Sequence, residues 1–363
     1  MGTNYAVAPG MYLQEWLDDE QMTQQALADR LGISRKTVNG ILKGTQPISQ
    51  DTAIKLERVT SIPRDSWIRF EAKYREDLAR LEDELKMASS ADIITPSLGK
   101  FLRDKGLTTA TKRNPGKLVS DFLNVVGYGS MDAYAKGVDC VFSSIATLKE
   151  AGKPVDPASM MAWIALGESA ETPTTNGAKA YNEVSLRASL NSLRQRAATT
   201  DDMTLTDITR QLEQCGVTLQ FISAPDQFPL HGITRWTKDG NPVIQMTGRR
   251  KKDGFIIWTL FHEIGHILND GNVGITLSYI DEKQSSKSES EKRANAFARE
   301  VLMGPEGLSP YHDCKTSTTI QRIAQGRGVC PGVVVNLMHR KRMLDYSWCN
   351  DLLKDMTIPF IKI

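Results

Sequence analysis

Residues 255–268, FIIWTLFHEIGHIL, decide how the carboxyl-terminal half of this chain folds and what chemistry it can carry. The stretch is apolar almost all round, which marks a buried helix. Within it, His262-Glu263-Ile264-Gly265-His266 has the H-E-x-x-H spacing. Positions i and i+4 lie one turn apart on the same helix face, so the two imidazoles can bind one tetrahedral ion. Burying two imidazoles and a carboxylate without partners is costly, and a metal removes that cost. Glu263, beside the first histidine, is placed as the general base that takes a proton from an attacking water. Gly265 lets the back of the helix approach a neighbour.

A catalytic zinc needs a third protein ligand and leaves its fourth position to water. Glu291 is the choice, on the first turn of the next strongly periodic helix, within ESEKRANAFARE (289–300). Glu289 and Glu300 compete for the role. Glu289 sits at the edge of the polar stretch DEKQSSKSES (281–290), which reads as a mobile loop, and Glu300 lies two and a half turns farther along. One carboxylate ligand leaves the site at a net charge of about +1, enough to lower the pKa of water toward ~7. Asn295, one turn beyond Glu291, is placed to orient a histidine from behind the ligands.

Upstream of this helix, VTLQFI (217–222) reads as a strand, and GITRW (232–236) and PVIQM (242–246) flank a hairpin connection at Lys238-Asp239-Gly240. Downstream, helical patterns resume at 289–303, 317–327 and 331–343. From 90 to 200 the signals are mainly helical. Residues 67–88 form one charged amphipathic helix with Trp67, Phe70, Tyr74, Leu78, Leu81, Leu85 and Ala88 at steps of three or four. The two consecutive four-residue steps from Phe70 to Leu78 break a strict heptad, so packing on its own chain is favoured over a coiled-coil seam. Arg187 and Arg194, on a helix at 181–196, read as a solvated or salt-bridged face rather than a substrate clamp.

The amino-terminal stretch QQALADRLGISRKTVNGILK (24–43) has the pattern of a helix-turn-helix. Ala28 is small where two helices cross, Gly32 stands at the turn, and Leu27, Leu31, Ile33, Val38 and Ile41 form a shared core. Thr23 and Ser34 are suitable N-caps. The second helix projects Arg35, Lys36, Thr37, Asn39 and Lys43 outward, residue types that reach guanine, adenine and phosphate. Gln24 is placed to touch a backbone phosphate, and Ser34 completes the DNA-facing set. From Ser34 to Gln50 all three charges are positive, while acidic residues cluster before Gln21 and after Gln50.

The chain as a whole holds 45 basic and 43 acidic residues among 363, a formal net charge of +2, which argues against indiscriminate coating of nucleic acid. With 40% hydrophobic and 24% charged residues it has the composition of an ordinary globular protein. No eighteen-residue apolar run or secretory leader is evident, so a cytoplasmic protein with no membrane partner is expected. The cysteines Cys140, Cys215, Cys314, Cys330 and Cys349 form no CxxC pair, so reduced thiols are expected rather than a disulfide framework or a cysteine zinc site.

Residues 24–43 resemble the lambda-repressor-like XRE family of DNA-binding domains. PVIQMTGRRKKDGFIIWTLFHEIGHIL (242–268), followed by ExxANxFAxExLMxP (291–305), resembles the ImmA/IrrE metallopeptidases. AWIALGE (162–168), LHGITRW (230–236) and GVCPGVVVNLMHRKRM (328–343) resemble the longer members, which carry an XRE domain in front. Some of these are classed with HigA-type antitoxins. Asn295 stands where many relatives have Asn and others Asp. His231 matches no ligand position of that family and reads as a surface or packing residue, as do His312 and His339.

The fold expected is α+β, mainly α: a lambda-repressor-like helix-turn-helix domain at 1–66, a helical middle region at 67–200, and a zincin-like domain at 201–363 with a small mixed sheet and the HExxH helix. The resemblance implies a gluzincin-like centre with His262, His266 and Glu291 on zinc and Glu263 as base. It also implies that the strand before the helix offers an edge to an extended peptide. The function expected is a transcription regulator, a homodimer on a duplex operator with inverted half-sites, whose zinc endopeptidase domain cleaves a repressor, a partner or the chain itself as a switch. The alternative is a HigA-like antitoxin or repressor, with a cognate toxin as partner, whose peptidase fold senses or binds without significant turnover.

Overall fold

The computed structural model describes residues 5–144, 155–170, 179–272, 275–279, 289–311 and 315–362. His312, Cys314 and residues 281–288 of the polar stretch lie outside the described residues. The chain divides into two compact units, residues 1–92 with 110–120 and residues 93–109 with 121–363.

The first unit is helical: α1 (Pro9–Asp19), α2 (Gln24–Leu31), α3 (Arg35–Leu42), α4 (Gln50–Thr60) and α5 (Arg64–Ala88). Local chemistry sets its boundaries. Thr23 Oγ1 accepts the Ala26 N–H and Ser34 Oγ the Thr37 N–H, so each capping hydroxyl satisfies a donor that its helix leaves open. Gly32 ends α2 at φ 62° in the left-handed region. Leu27, Ala28, Leu31, Val38 and Ile41 are buried together with Leu13, Leu17, Ile48, Ala53 and Leu56, and Ile33 packs against them.

This core also takes in Trp67, fully buried, so the unit does not end at 66. Its boundary falls inside α5 because that helix supplies an aromatic anchor. Phe70 continues the anchor by stacking on Tyr12 at 4.3 Å. Arg75 ties α5 to the turn after α3, donating to the Gly44 carbonyl at 3.1 Å while pairing with Glu71 at 2.7 Å. Farther along, the apolar stripe is not uniformly covered. Leu78 and Leu81 are half-buried and Leu85 is 75% exposed, whereas Asp77 is buried beneath Lys73 and Arg80.

The second unit holds α6 (Pro96–Asp104), the latter part of α7 (Pro115–Val126), α8 (Met131–Ser144), α9 (Pro157–Ala170), α10 (Glu183–Thr199) and α11 (Thr204–Glu213). It continues with β1 (Thr218–Phe221), β2 (Leu230–Trp236), β3 (Pro242–Met246), α12 (Asp253–Asp270) and β4 (Thr276–Tyr279). It closes with α13 (Glu289–Met303), α14 (Ser317–Arg327) and α15 (Pro331–Arg340). The sheet is mixed, in the order β1-β3-β2-β4. β1 runs parallel to β3, and β2 pairs antiparallel with both β3 and β4. The β2–β3 connection is the expected hairpin, closed by Gly240 N–H to Thr237 O at 3.0 Å.

β3, the strand before α12, lies inside the sheet with both backbone edges used, contrary to the expectation that it offers an edge to a peptide. Its five residues are all buried, as a strand flanked on both sides requires. The strands at the ends of the sheet are β1 and β4, and β1 receives the Ile361 N–H at Phe221 O, 3.0 Å away.

α12 is buried along almost its whole length and packs within one apolar core with residues of α10, α11, α13, α14, α15 and the sheet. At Gly265 an added Cβ would meet Ala294 Cα at 3.1 Å and Phe297 Cδ1 at 3.0 Å, so this glycine permits the close approach of α13. α10 braces both helices. Arg187, ion-paired with Glu183, donates to Leu268 O at 3.0 Å, and Arg194 donates to Val301 O at 3.4 Å. The two arginines thus satisfy carbonyls near the carboxyl ends of α12 and α13, where cations are favoured. Among the described residues no helix is long and apolar enough to cross a membrane.

Candidate functional site

The helical spacing of four brings His262 and His266 together as expected, with their Nε2 atoms 3.1 Å apart. The first turn of α13 brings Glu291 to them: Oε1 lies 3.0 Å from His266 Nε2 and Oε2 3.4 Å from His262 Nε2. All three residues are buried. Glu289 and Glu300 are exposed, and Glu289 pairs with Lys292 at 2.6 Å.

Three donor atoms on one tetrahedral ion with bonds of 2.0–2.1 Å stand about 3.3 Å apart. The observed separations of 3.0–3.4 Å have that size. Two imidazole nitrogens pointed at each other and at a carboxylate, with water excluded, form a donor set that a divalent cation satisfies. The residues therefore fit a metal. Without one, burial disfavours the His266 imidazolium, but its bonds to Asp270 and Glu291 outweigh burial and raise its pKa. Burial likewise opposes the Glu291 carboxylate, and the attraction of His262 and His266 outweighs it and lowers that pKa.

Behind His266 stands a residue that sequence reasoning missed. Asp270 Oδ2 lies 2.7 Å from His266 Nδ1, and Arg293 binds Oδ1 through NH2 at 2.5 Å and Nε at 3.2 Å. Ser290 donates to Asp270 Oδ2 and lies 3.2 Å from His266 Nδ1. A carboxylate here fixes which ring nitrogen of His266 carries the proton and which faces the donor cluster. The bonds to His266, Ser290 and Arg293 overcome burial and hold the Asp270 pKa well below the usual carboxylate range. The signal was present: Asp270 lies four residues after His266, on the same face.

Asn295 is half-buried one turn beyond Glu291, and no hydrogen bond joins it to either histidine among the described residues. Glu263 is fully buried. Thr234 Oγ1, on β2, donates to Glu263 Oε2 at 2.6 Å, and Oε1 has no partner among the described residues. A Cβ on Gly232 would stand 2.9 Å from that oxygen, so the glycine makes room for the carboxylate. Neither Thr234 nor Gly232 carries a spacing signal, because β2 reaches the helix only through the fold.

The other histidines differ from this set. His231 lies at the irregularity in β2–β4 pairing between Leu230 and Gly232 and is half-buried. His339 is buried on α15 and donates from Nε2 to Trp348 O at 3.0 Å, a packing role.

In the first unit, Arg35, Lys36 and Lys43 are exposed on or just beyond α3, with Thr37 and Asn39 half-buried. Arg35, Asn39 and Lys43 follow at steps of four, so they share a face. Ser34 is exposed at the N-cap and its hydroxyl lies 2.8 Å from that of Thr37. Gln24 opens α2 and is half-buried. A helix amino terminus with flanking cations suits phosphate, and the outward side chains suit base edges.

Residues 13–67 match the helix-turn-helix family HTH_3. Among solved structures the chain is similar to the Pseudomonas aeruginosa antitoxin HigA with higBA promoter, at 29% identity over 23% of this chain and 90% of that one, with a TM-score of 0.22. No curated protein matches. The amino-terminal region is an XRE-type helix-turn-helix, DNA-binding domain.

Proposed function

We propose that this protein is a DNA-binding regulator whose second unit is a zinc-dependent endopeptidase of the ImmA/IrrE kind, cleaving a regulatory protein as a switch. The observation that carries the reading is the buried His262–His266–Glu291 cluster with a buried glutamate, Glu263, next to it in sequence. Its first unit binds a duplex operator, read by a homodimer as inverted half-sites about one helical turn apart.

His262, His266 and Glu291 would hold the zinc, which supplies Lewis acidity toward a carbonyl and lowers the pKa of water. Thr234 holds one oxygen of Glu263. The other oxygen is left to accept the proton of the attacking water and to return it to the leaving amine. Burial of the site excludes bulk water and strengthens these interactions.

The test is Glu263→Ala in a reporter strain. If the regulatory effect disappears while operator binding and zinc content remain, the endopeptidase reading holds. If the effect survives unchanged, the unit is a binding or sensing module.

A further inference from the structure

Phe255, Trp258, His262 and His266 follow along α12 at steps of three, four and four, so they share one face of the helix. Guanidiniums cover the aromatic half of that face. Arg250 Cζ stands 4.6 Å from the Phe255 ring centroid, and Arg340 Cζ 4.7 Å from that of Trp258. Arg250 comes from the segment entering α12, and Arg340 is the last residue of α15. Arg249 is exposed beside them and donates to Phe228 O.

His231, at the irregularity in β2, feels Arg250, Arg340, Arg249 and His262 together. Burial first, then those charges, hold its pKa down to about 3, so the ring is neutral near pH 7. The two ends of the His262–His266 stripe are therefore unlike. Beyond His266, carboxylates and Arg293 are tied to one another. Before His262 the charge is positive, and among the described residues no carboxylate pairs with Arg250.

An arginine stacked on a ring keeps its N–H edge available for a planar anion, and the stack fixes its orientation. Trp258 and Phe255 lie about 6 and 10 Å before His262 at 1.5 Å rise per residue. An extended peptide advances about 3.3 Å per residue, so side chains two or three residues from a bond held at His262 can reach these guanidiniums.

We propose that Arg250 and Arg340 form a basic, aromatic-backed ledge that reads aspartate or glutamate in the polypeptide substrate, within about three residues of the scissile bond. The inference rests on the peptidase reading above. It names the substrate class as a protein segment with acidic residues flanking the cleaved bond.

The experiment uses the full-length Glu263→Ala protein in zinc-containing buffer, which separates binding from turnover. Fluorescein-labelled dodecapeptides of alanine, serine and leucine, carrying either two central glutamates or two glutamines, are titrated by anisotropy. The acidic peptide is expected to bind about tenfold more tightly, the scale of one added charge-assisted hydrogen bond. Arg250→Gln and Arg340→Gln should each remove most of that preference. Arg340→Lys, which keeps the charge without the planar fork, should retain part of it. Arg35→Gln with Lys36→Gln should leave it intact.

Equal binding of the two peptides overturns the ledge. So does a preference that survives Arg250→Gln with Arg340→Gln and vanishes with the α3 substitutions. Cleavage of the same peptides by the unsubstituted protein reads the parent claim separately. No cleavage with the acidic preference intact keeps the ledge and removes the peptidase, and equal cleavage with equal binding does the reverse.

Discussion

Asp270→Ala isolates the contribution of a single carboxylate behind the donor cluster. In the native protein this side chain is 3% exposed, 2.7 Å from His266 Nδ1, and held in place by Arg293 and Ser290. Removing it leaves His266 Nδ1 with only the Ser290 hydroxyl at 3.2 Å, so the ring loses its orientation and some basicity. Loss of such a partner costs about 10–100-fold in metal affinity, or about 1.4–2.7 kcal/mol. The half-exposed Arg293 can be rehydrated, so its stranded charge adds little, and the lower half of that range is expected. Asp270→Asn should lose less than Asp270→Ala, because its amide oxygen can still accept from His266. Zinc affinity measured by competition with a chromophoric chelator checks this, with thermal melting to confirm the fold. Unchanged zinc affinity in a folded Asp270→Ala protein would refute the assigned role.

Three further outcomes are expected. Gly232→Ala places a methyl 2.9 Å from Glu263 Oε1 and should lower peptide hydrolysis severalfold or more while zinc content stays the same. Arg35→Ala and Lys36→Ala should each weaken operator binding and reduce the slope of log K against log salt by about 0.9 wherever the lost cation touched a phosphate. Among the described cysteines, Cys140 is exposed, whereas burial raises the Cys330 pKa above its ordinary value. The thiolate is the reactive form, so in native protein below about pH 9 iodoacetamide should label Cys140 and spare Cys330, as read by mass spectrometry. Equal labelling at Cys330 would mean that its pocket opens.

The features legible in the sequence are those set by local spacing. Caps at Thr23 and Ser34, the turn at Gly32 and the pairing of His262 with His266 each depend on residues three to five positions apart. Glu291 could be reached because a carboxylate on the first turn of a periodic helix faces inward when that helix's small residues do, and it is buried while Glu289 and Glu300 are not.

What could not be read depends on long-range pairing. The interior place of β3 follows from the parallel partner β1, some twenty-five residues upstream in register, which no window around the strand displays. Thr234 and Gly232 reach Glu263 only because β2 lies against α12. Trp67 belongs to the first core although a composition boundary fell just before it. Asp270 is the instructive case. Its i+4 spacing was visible, but an aspartate at a helix end reads as solvated unless the arrival of Arg293 and Ser290 is known.

The most direct measurement of the central claim is the zinc content of the purified, folded protein by plasma mass spectrometry, before and after single substitutions. About one zinc per chain is predicted. It should be lost with His262→Ala, His266→Ala or Glu291→Ala and retained with Glu289→Ala, Glu300→Ala and Glu263→Ala. A folded, unsubstituted protein that neither carries zinc nor takes it up on dialysis would contradict the claim.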